Sequence, residues 1–179
     1  MTSFASLKKV IQSLISKIKT KKEEGYFLNK CKSGVWKEWY ENGQIKKKAH
    51  YEKGKGIGES KEWYANGQIK EIGTYVPNRN AENTSIYKMK EYWSESGELW
   101  VTEGSGDVTY YHSDTTLISS KGSFKDGIKS GRWKGYNMDG QLIYDETYQH
   151  SKVKGTSWDE QGNQYEYEEL EIEPAPKKG

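Results

Sequence analysis

Gly34-Val35-Trp36-Lys37-Glu38-Trp39-Tyr40-Glu41-Asn42-Gly43-Gln44-Ile45 returns 24 positions later as Gly58-Glu59-Ser60-Lys61-Glu62-Trp63-Tyr64-Ala65-Asn66-Gly67-Gln68-Ile69. A third version is Gly131-Arg132-Trp133-Lys134-Gly135-Tyr136-Asn137-Met138-Asp139-Gly140-Gln141-Leu142. Looser copies occupy residues 91–99 and 158–163, and a worn one with a one-residue insertion covers 110–118. Recurrence at a short fixed period marks a repeat architecture, in which each unit buries its apolar surface against its neighbours.

The second half of each unit recurs as well. Ile45 is followed by Tyr51, Ile69 by Tyr75, Ile118 by Phe124 and Leu142 by Tyr148, and a turn follows at Lys53-Gly54 or Asp126-Gly127. Each unit therefore reads as strand, tight turn, strand, tight turn. Asn42-Gly43, Asn66-Gly67 and Asp139-Gly140 are dipeptides favoured in two-residue type I′ hairpins, where both central residues need positive φ. Strand alternation puts Trp36 and Tyr40 on one face and Trp39 on the other. On the return strand Ile45, Ala49 and Tyr51 share a face, with Lys46, Lys48 and His50 opposite. The expected fold is mainly β: an elongated, twisted, antiparallel single sheet of consecutive hairpins, about a dozen strands long, with one N-terminal amphipathic α-helix. The expected domains are that helix (1–25), the hairpin array (26–173) and a frayed tail (174–179).

Composition agrees with a thin sheet. Only 32% of the 179 residues are hydrophobic, yet 7 are Trp and 14 are Tyr. Broad rings can cover a sheet where aliphatics are too few to fill a globular core. The net charge of +2 gives no global drive toward nucleic acid, and three lysines at 46–48 read as a solvated strand face. Cys31 is the one cysteine, which rules out an intramolecular disulfide and a cysteine-rich zinc site. With no long apolar run and no secretory pattern, the expected compartment is the cytoplasm.

Three regions stand apart from the repeats. Phe4, Leu7, Ile11, Leu14, Ile15 and Ile18 fall at helical spacing on one stripe, with Lys8, Lys9, Lys17, Lys19, Lys21 and Lys22 around or beyond it. This helix could cap the sheet, dock on a membrane surface, or bind a partner. Residues 77–84, with Pro77, Asn78, Arg79 and Asn80, interrupt the period and project as a loop from one rim. Near the end, Tyr165, Tyr167, Glu169 and Glu171 alternate with Glu166, Glu168, Leu170 and Glu173 nearby. Acids on a final strand discourage edge pairing, or offer a surface to a basic partner.

No catalytic constellation emerges. His50, His112 and His150 are scattered and lack ligand spacing, and no Gly-x-Ser-x-Gly or phosphate-binding loop occurs. No catalytic residue, cofactor site or metal site is expected.

The succession of Gly, aromatic, Trp-Tyr, Asn-Gly and an aliphatic, then Tyr and Gly, resembles the MORN-repeat variant over roughly residues 34–164. The version it resembles is that of the bacterial YwqK-family antitoxins. The resemblance implies hairpins laid side by side in one long sheet. It also implies a role as a scaffold, a membrane-associated protein or a toxin-neutralising protein. The expected function is a non-catalytic protein–protein interaction module, an antitoxin or immunity protein that occludes a cognate toxin. The alternative is a membrane-associated scaffold docking through Phe4, Leu7, Lys8, Lys9, Ile11, Leu14, Ile15 and Ile18. The expected contacts with a protein partner are Glu166, Glu168, Glu169, Glu171 and Glu173, then Tyr165 and Tyr167, then Asn78, Arg79 and Asn80. Nucleic acid is not an expected partner.

Overall fold

The computed structural model describes residues 22–78, 84–113, 115–149 and 152–170. The N-terminal stripe from Phe4 to Ile18 and the tail lie outside them. Thirteen strands follow in chain order: β1 (Glu23–Leu28), β2 (Cys31–Trp39), β3 (Ile45–Glu52), β4 (Lys55–Trp63), β5 (Ile69–Pro77), β6 (Ser85–Trp93), β7 (Leu99–Thr102), β8 (Ser105–Tyr111), β9 (Ile118–Lys125), β10 (Ile128–Tyr136), β11 (Leu142–Gln149), β12 (Lys152–Trp158) and β13 (Gln164–Leu170). They form one open sheet in sequential order, each strand antiparallel to the next. The described part contains no helix. At about 4.8 Å per strand the sheet is roughly 58 Å wide. It begins at Glu23, three residues before the boundary expected between residues 25 and 26.

A meander of this kind has two rims, and they use different turns. The Asn-Gly dipeptides do not form type I′ turns. Tyr40 N–H donates to Gln44 O (2.8 Å) and Gly43 N–H to Tyr40 O (3.0 Å), which closes a three-residue loop. Gly43 alone takes positive φ (85°), and Asn42 does not. The Asn42 side chain accepts the Gln44 N–H (3.0 Å), and Asn66 accepts that of Gln68 (2.9 Å). That local bond holds the asparagine in a type I turn, with the glycine supplying the left-handed residue after it. The type I′ turns lie on the opposite rim, at Asn29-Lys30, Lys53-Gly54, Glu103-Gly104 and Asp126-Gly127, where both residues have positive φ.

Each outward strand from β2 to β12 ends in an aromatic: Trp39, Trp63, Trp93, Tyr111, Tyr136 and Trp158. In the first five of these hairpins the register shifts just before that residue. The shift sets Trp39 opposite Ile45, Trp63 opposite Ile69, and Trp93 opposite Leu99. Strict alternation therefore misplaces Ile45. The extra residue at the bulge moves it away from the Lys47, Ala49 and Tyr51 side and over to that of Trp39. At the loop rim, Tyr40 and Tyr64 strap one hairpin to the next, their hydroxyls donating to Trp63 O and Trp93 O (both 2.7 Å).

The ring-bearing first face holds the core. Met89, Tyr92, Val101, Val108, Trp133, Tyr148 and Val153 form a buried cluster. Trp133 meets Phe124 edge-on at 5.3 Å and Tyr148 at 6.5 Å, and stacks on Tyr110 at 6.3 Å. Its indole N–H donates to Ser123 O (3.0 Å), so the one polar atom of a buried ring is satisfied. The ring lies across the strand at Gly122, where a Cβ would come within 2.2 Å of it. Trp36 lies over Gly25 in the same way. Lys32 over Trp36 (4.2 Å) and Lys129 over Trp133 (4.5 Å) complete the same arrangement in two distant repeats.

Strand β7 has only four residues, so the β7–β8 turn stops short of the rim. The β9–β10 turn fills the notch through backbone bonds. Gly104 N–H donates to Lys90 O (2.8 Å), Gly127 N–H to Gly104 O (2.9 Å), and Met89 N–H to Gly127 O (2.9 Å). These bonds satisfy polar groups that the short strand leaves unpaired, and they tie β6 to the far side of the β7–β8 hairpin.

Candidate protein-interaction face

Strand alternation that buries Trp36, Ala49, Ser60 and Met89 on the first face sends their neighbours to the second. Val35, Lys37, Lys48, His50, Ile57, Glu59, Lys61 and Trp63 therefore share that side. Lys37 stands directly opposite Lys48, and Lys48 opposite Lys61, on three neighbouring strands. Like charges in register repel across a sheet; at the ends of this row Lys61 pairs with Glu59 (2.9 Å) and Lys37 stands opposite Glu24 on β1. Val35, His50, Ile57 and Trp63 line a shallow depression of about 580 Å³ with Lys48 and Lys61.

The strand-final aromatics continue along this face at the loop rim. Trp39, Trp63, Trp93, Tyr136 and Trp158 are half-buried and Tyr111 is exposed, unlike Trp36 and Trp133 on the other side. At the bulges Trp39, Trp63, Trp93 and Tyr136 stand opposite Ile45, Ile69, Leu99 and Leu142, and Trp158 stands opposite Gln164 without a bulge. Large rings with restricted rotamers, set among charges, are what interface anchors require. The sequence carried a signal for this column, because an aromatic recurs at the same place in every copy. Read one repeat at a time, such rings look like fold.

A second depression, of about 700 Å³, lies at the C-terminal end of the face, lined by Arg132, Asp145, Thr147, Lys154, Trp158, Glu166 and Glu168 among others. Arg132 grips Asp145 with two bonds (2.7 and 2.5 Å). The Arg132 guanidinium holds the Asp145 carboxyl below the ordinary aspartate range. Glu168 sits opposite Lys154, and Glu166 opposite Thr156, so the acids on this side are interleaved with cations.

The expected contact residues are distributed as follows. Glu166 and Glu168 are exposed on the edge strand β13, beside the second depression. Glu169 lies in β13 opposite Val153. Tyr165 and Tyr167 project to the other side, where Tyr165 donates to Asp159 (3.0 Å) and Tyr167 to Glu146 (2.5 Å). Asn78 is buried, and its N–H donates to Thr84 O (3.1 Å). Six strands, β7 to β12, separate it from β13. The structure thus brings Glu166 and Glu168 together and leaves Asn78 remote. Arg79, Asn80, Glu171, Glu173 and the eight N-terminal positions Phe4, Leu7, Lys8, Lys9, Ile11, Leu14, Ile15 and Ile18 lie outside the described residues.

Acids also occur on the ring-bearing face, where burial changes their chemistry. Tyr87 donates to Glu71. Burial raises the Glu71 carboxyl above the ordinary glutamate range, against the opposing effect of the Tyr87 bond. Burial likewise pushes the Tyr87 phenol far up, with the Glu71 charge adding to it, so the phenol stays a donor. A raised carboxyl binds its proton more tightly folded than unfolded. Its contribution to stability is therefore complete below the unfolded pKa of about 4.3 and is lost as pH rises through the folded value. Glu71→Gln is expected to raise the urea midpoint near neutrality and to flatten its fall between pH 4 and 7. An unchanged pH slope in the variant would contradict this reading of Glu71.

Among the described residues, no three His, Cys, Asp or Glu side chains are grouped to hold a metal ion. No curated protein and no solved structure matches the chain. Residues 32–53 and 57–76 match the MORN repeat variant. Those segments are the hairpins β2–β3 and β4–β5, and the chain therefore carries MORN-type repeats.

Proposed function

We propose that the chain is a non-catalytic protein–protein interaction module and, more specifically, an antitoxin or immunity protein that neutralises a cognate toxin by covering it. MORN repeats commonly serve as protein- or membrane-interaction modules, which supports the general reading. The observation that carries it is the second face: a column of half-buried strand-final rings on a rigid sheet, set among charged side chains. Rings of this kind supply most of the affinity of an interface, and the surrounding charges set orientation and association rate. The charge is divided along the face. Lys37, Lys48 and Lys61 favour an acidic patch on the partner opposite β2 to β4. Glu166 and Glu168 favour a basic patch opposite β13, such as the cleft of a nuclease-type toxin.

Co-expression with the product of a neighbouring toxin gene tests this reading. The expected result is rescue of growth and a stable complex of the two purified chains. Neither rescue nor complex would remove the toxin-neutralising role. The lysine row also supports a second reading, a scaffold on an anionic membrane surface. Co-flotation with phosphatidylserine vesicles that disappears in a Lys37→Glu/Lys48→Glu variant would favour it, and absence of flotation would exclude it.

A further inference from the structure

Two rows of side chains cross β2, β3 and β4 next to each other on the second face. One is cationic, with Lys37, Lys48 and Lys61 in register. The other, one row nearer the turn rim, sets Val35 opposite His50 and His50 opposite Ile57. On the first face of the same strands Lys47 is neutralised by Glu62 at 2.7 Å. The second face differs. Glu24 and Glu59 meet only the two end lysines, and the central Lys48 is exposed with no ion pair among the described residues. An uncompensated cation beside an open apolar row, where Val35 is 44% exposed, is a surface that calls for a complementary partner.

We infer that β2 to β4 dock an acidic amphipathic helix of a protein partner. It lies across the strands with its carboxylates over the lysine row and its apolar side chains over Val35 and Ile57. The inference rests on the interaction-module reading and names the kind of segment that this end of the face takes. Spacing decides for a helix. The lysines are carried on strands about 4.8 Å apart, so the row is about 10 Å long. Carboxylates at i, i+4 and i+7 share one helical face and advance about 10.5 Å. On an extended segment three carboxylates of one face span about 13.5 Å and overrun the row. The two rows are about 7 Å apart, within the width of about 10–12 Å that one helix covers. The depression of about 580 Å³ at Val35, His50 and Ile57 receives the apolar side chains. Glu59, exposed within that depression, disfavours a sheet of anionic lipid headgroups, which would meet its charge.

The probe is a labelled, end-capped leucine–glutamate helix with glutamates at i, i+4 and i+7, titrated with the full-length chain and followed by fluorescence anisotropy. Binding is expected, weakening as salt is added, and the same helix with lysines in place of the glutamates should not bind. Lys48→Glu is expected to weaken binding at least about tenfold, and Lys48→Gln, which only removes the charge, by less. Lys48 is exposed, so both variants keep the packed first face, which their urea midpoints check. No binding of the acidic helix, equal binding of the lysine helix, or an affinity unchanged in both Lys48 variants would overturn the inference. Phosphatidylserine vesicles that capture the chain where the acidic helix does not would assign the row to a membrane and overturn it too. The assay needs no toxin, so its failure and that of the toxin-neutralising reading are scored separately.

Discussion

Replacing Trp133 by alanine is expected to cost about 3–5 kcal/mol of stability, the largest loss from any single side chain of the described sheet. Trp133 is 1% exposed and sits where rings from β8, β9 and β11 converge. Its removal opens a cavity that the flanking strands cannot close, because their spacing is set by ladder bonds. It also leaves Ser123 O without the indole donor and removes one of the two rings under Lys129, the other being Tyr148. Set against the 5–15 kcal/mol that holds a typical domain folded, the loss is a large fraction of the total. Trp63→Ala is the paired experiment. That ring is half-buried on the second face, and its removal is expected to cost about 1 kcal/mol. Urea midpoints that move equally in the two variants would contradict the division of the sheet into a packed face and a presenting face.

Gly127→Ala is the second large effect. Gly127 has φ 83° and closes the notch beside the short β7. A Cβ there would lie 2.6 Å from Met89 O, against an oxygen that accepts no displacement without breaking the link between β6 and the β9–β10 turn. The left-handed backbone alone costs about 1–2 kcal/mol for an L-residue, and each lost backbone bond about 1 kcal/mol more. A total of about 3–4 kcal/mol is expected. Gly43→Ala supplies the comparison, since Gly43 has φ 85° and nothing within 4 Å of the added Cβ. It should lose only the conformational part. Equal thermal shifts for the two variants would mean that the closure at Met89 does not hold the sheet together.

The architecture was legible because a recurring unit, 24 residues apart in its two clearest copies and with a turn-forming glycine dipeptide in most of them, leaves few alternatives to a meander of hairpins. Turn type was not. Asn42-Gly43 suits a type I′ turn as well as a longer loop, and the choice depends on whether Asn42 Oδ1 can accept the Gln44 N–H, which the dipeptide does not state. The role of the mid-strand glycines was hidden for a related reason. Gly25 and Gly122 are seats for Trp36 and Trp133, a relation between neighbouring strands that appears only once their register is known. The bulges before Trp39 and Trp63 shift parity within a strand, so alternation put Ile45 on the wrong side. At the C-terminal edge, alternation correctly separated Tyr165 and Tyr167 from Glu166 and Glu168. It could not reveal that Tyr167 bonds Glu146, 21 residues away. The strand-final aromatics were visible in every copy, yet their shared position along one face emerges only when the strands are set side by side.

The claim on which the functional account rests is that a partner docks on the face bearing Trp39, Trp63 and Trp158. Hydroxyl-radical footprinting of the chain, alone and in complex with the co-expressed toxin, tests it most directly. In the free chain these three rings should oxidise readily and Trp36 and Trp133 hardly at all, and the complex should protect all three. Oxidation of Trp39, Trp63 and Trp158 that persists unchanged in the complex would contradict the account.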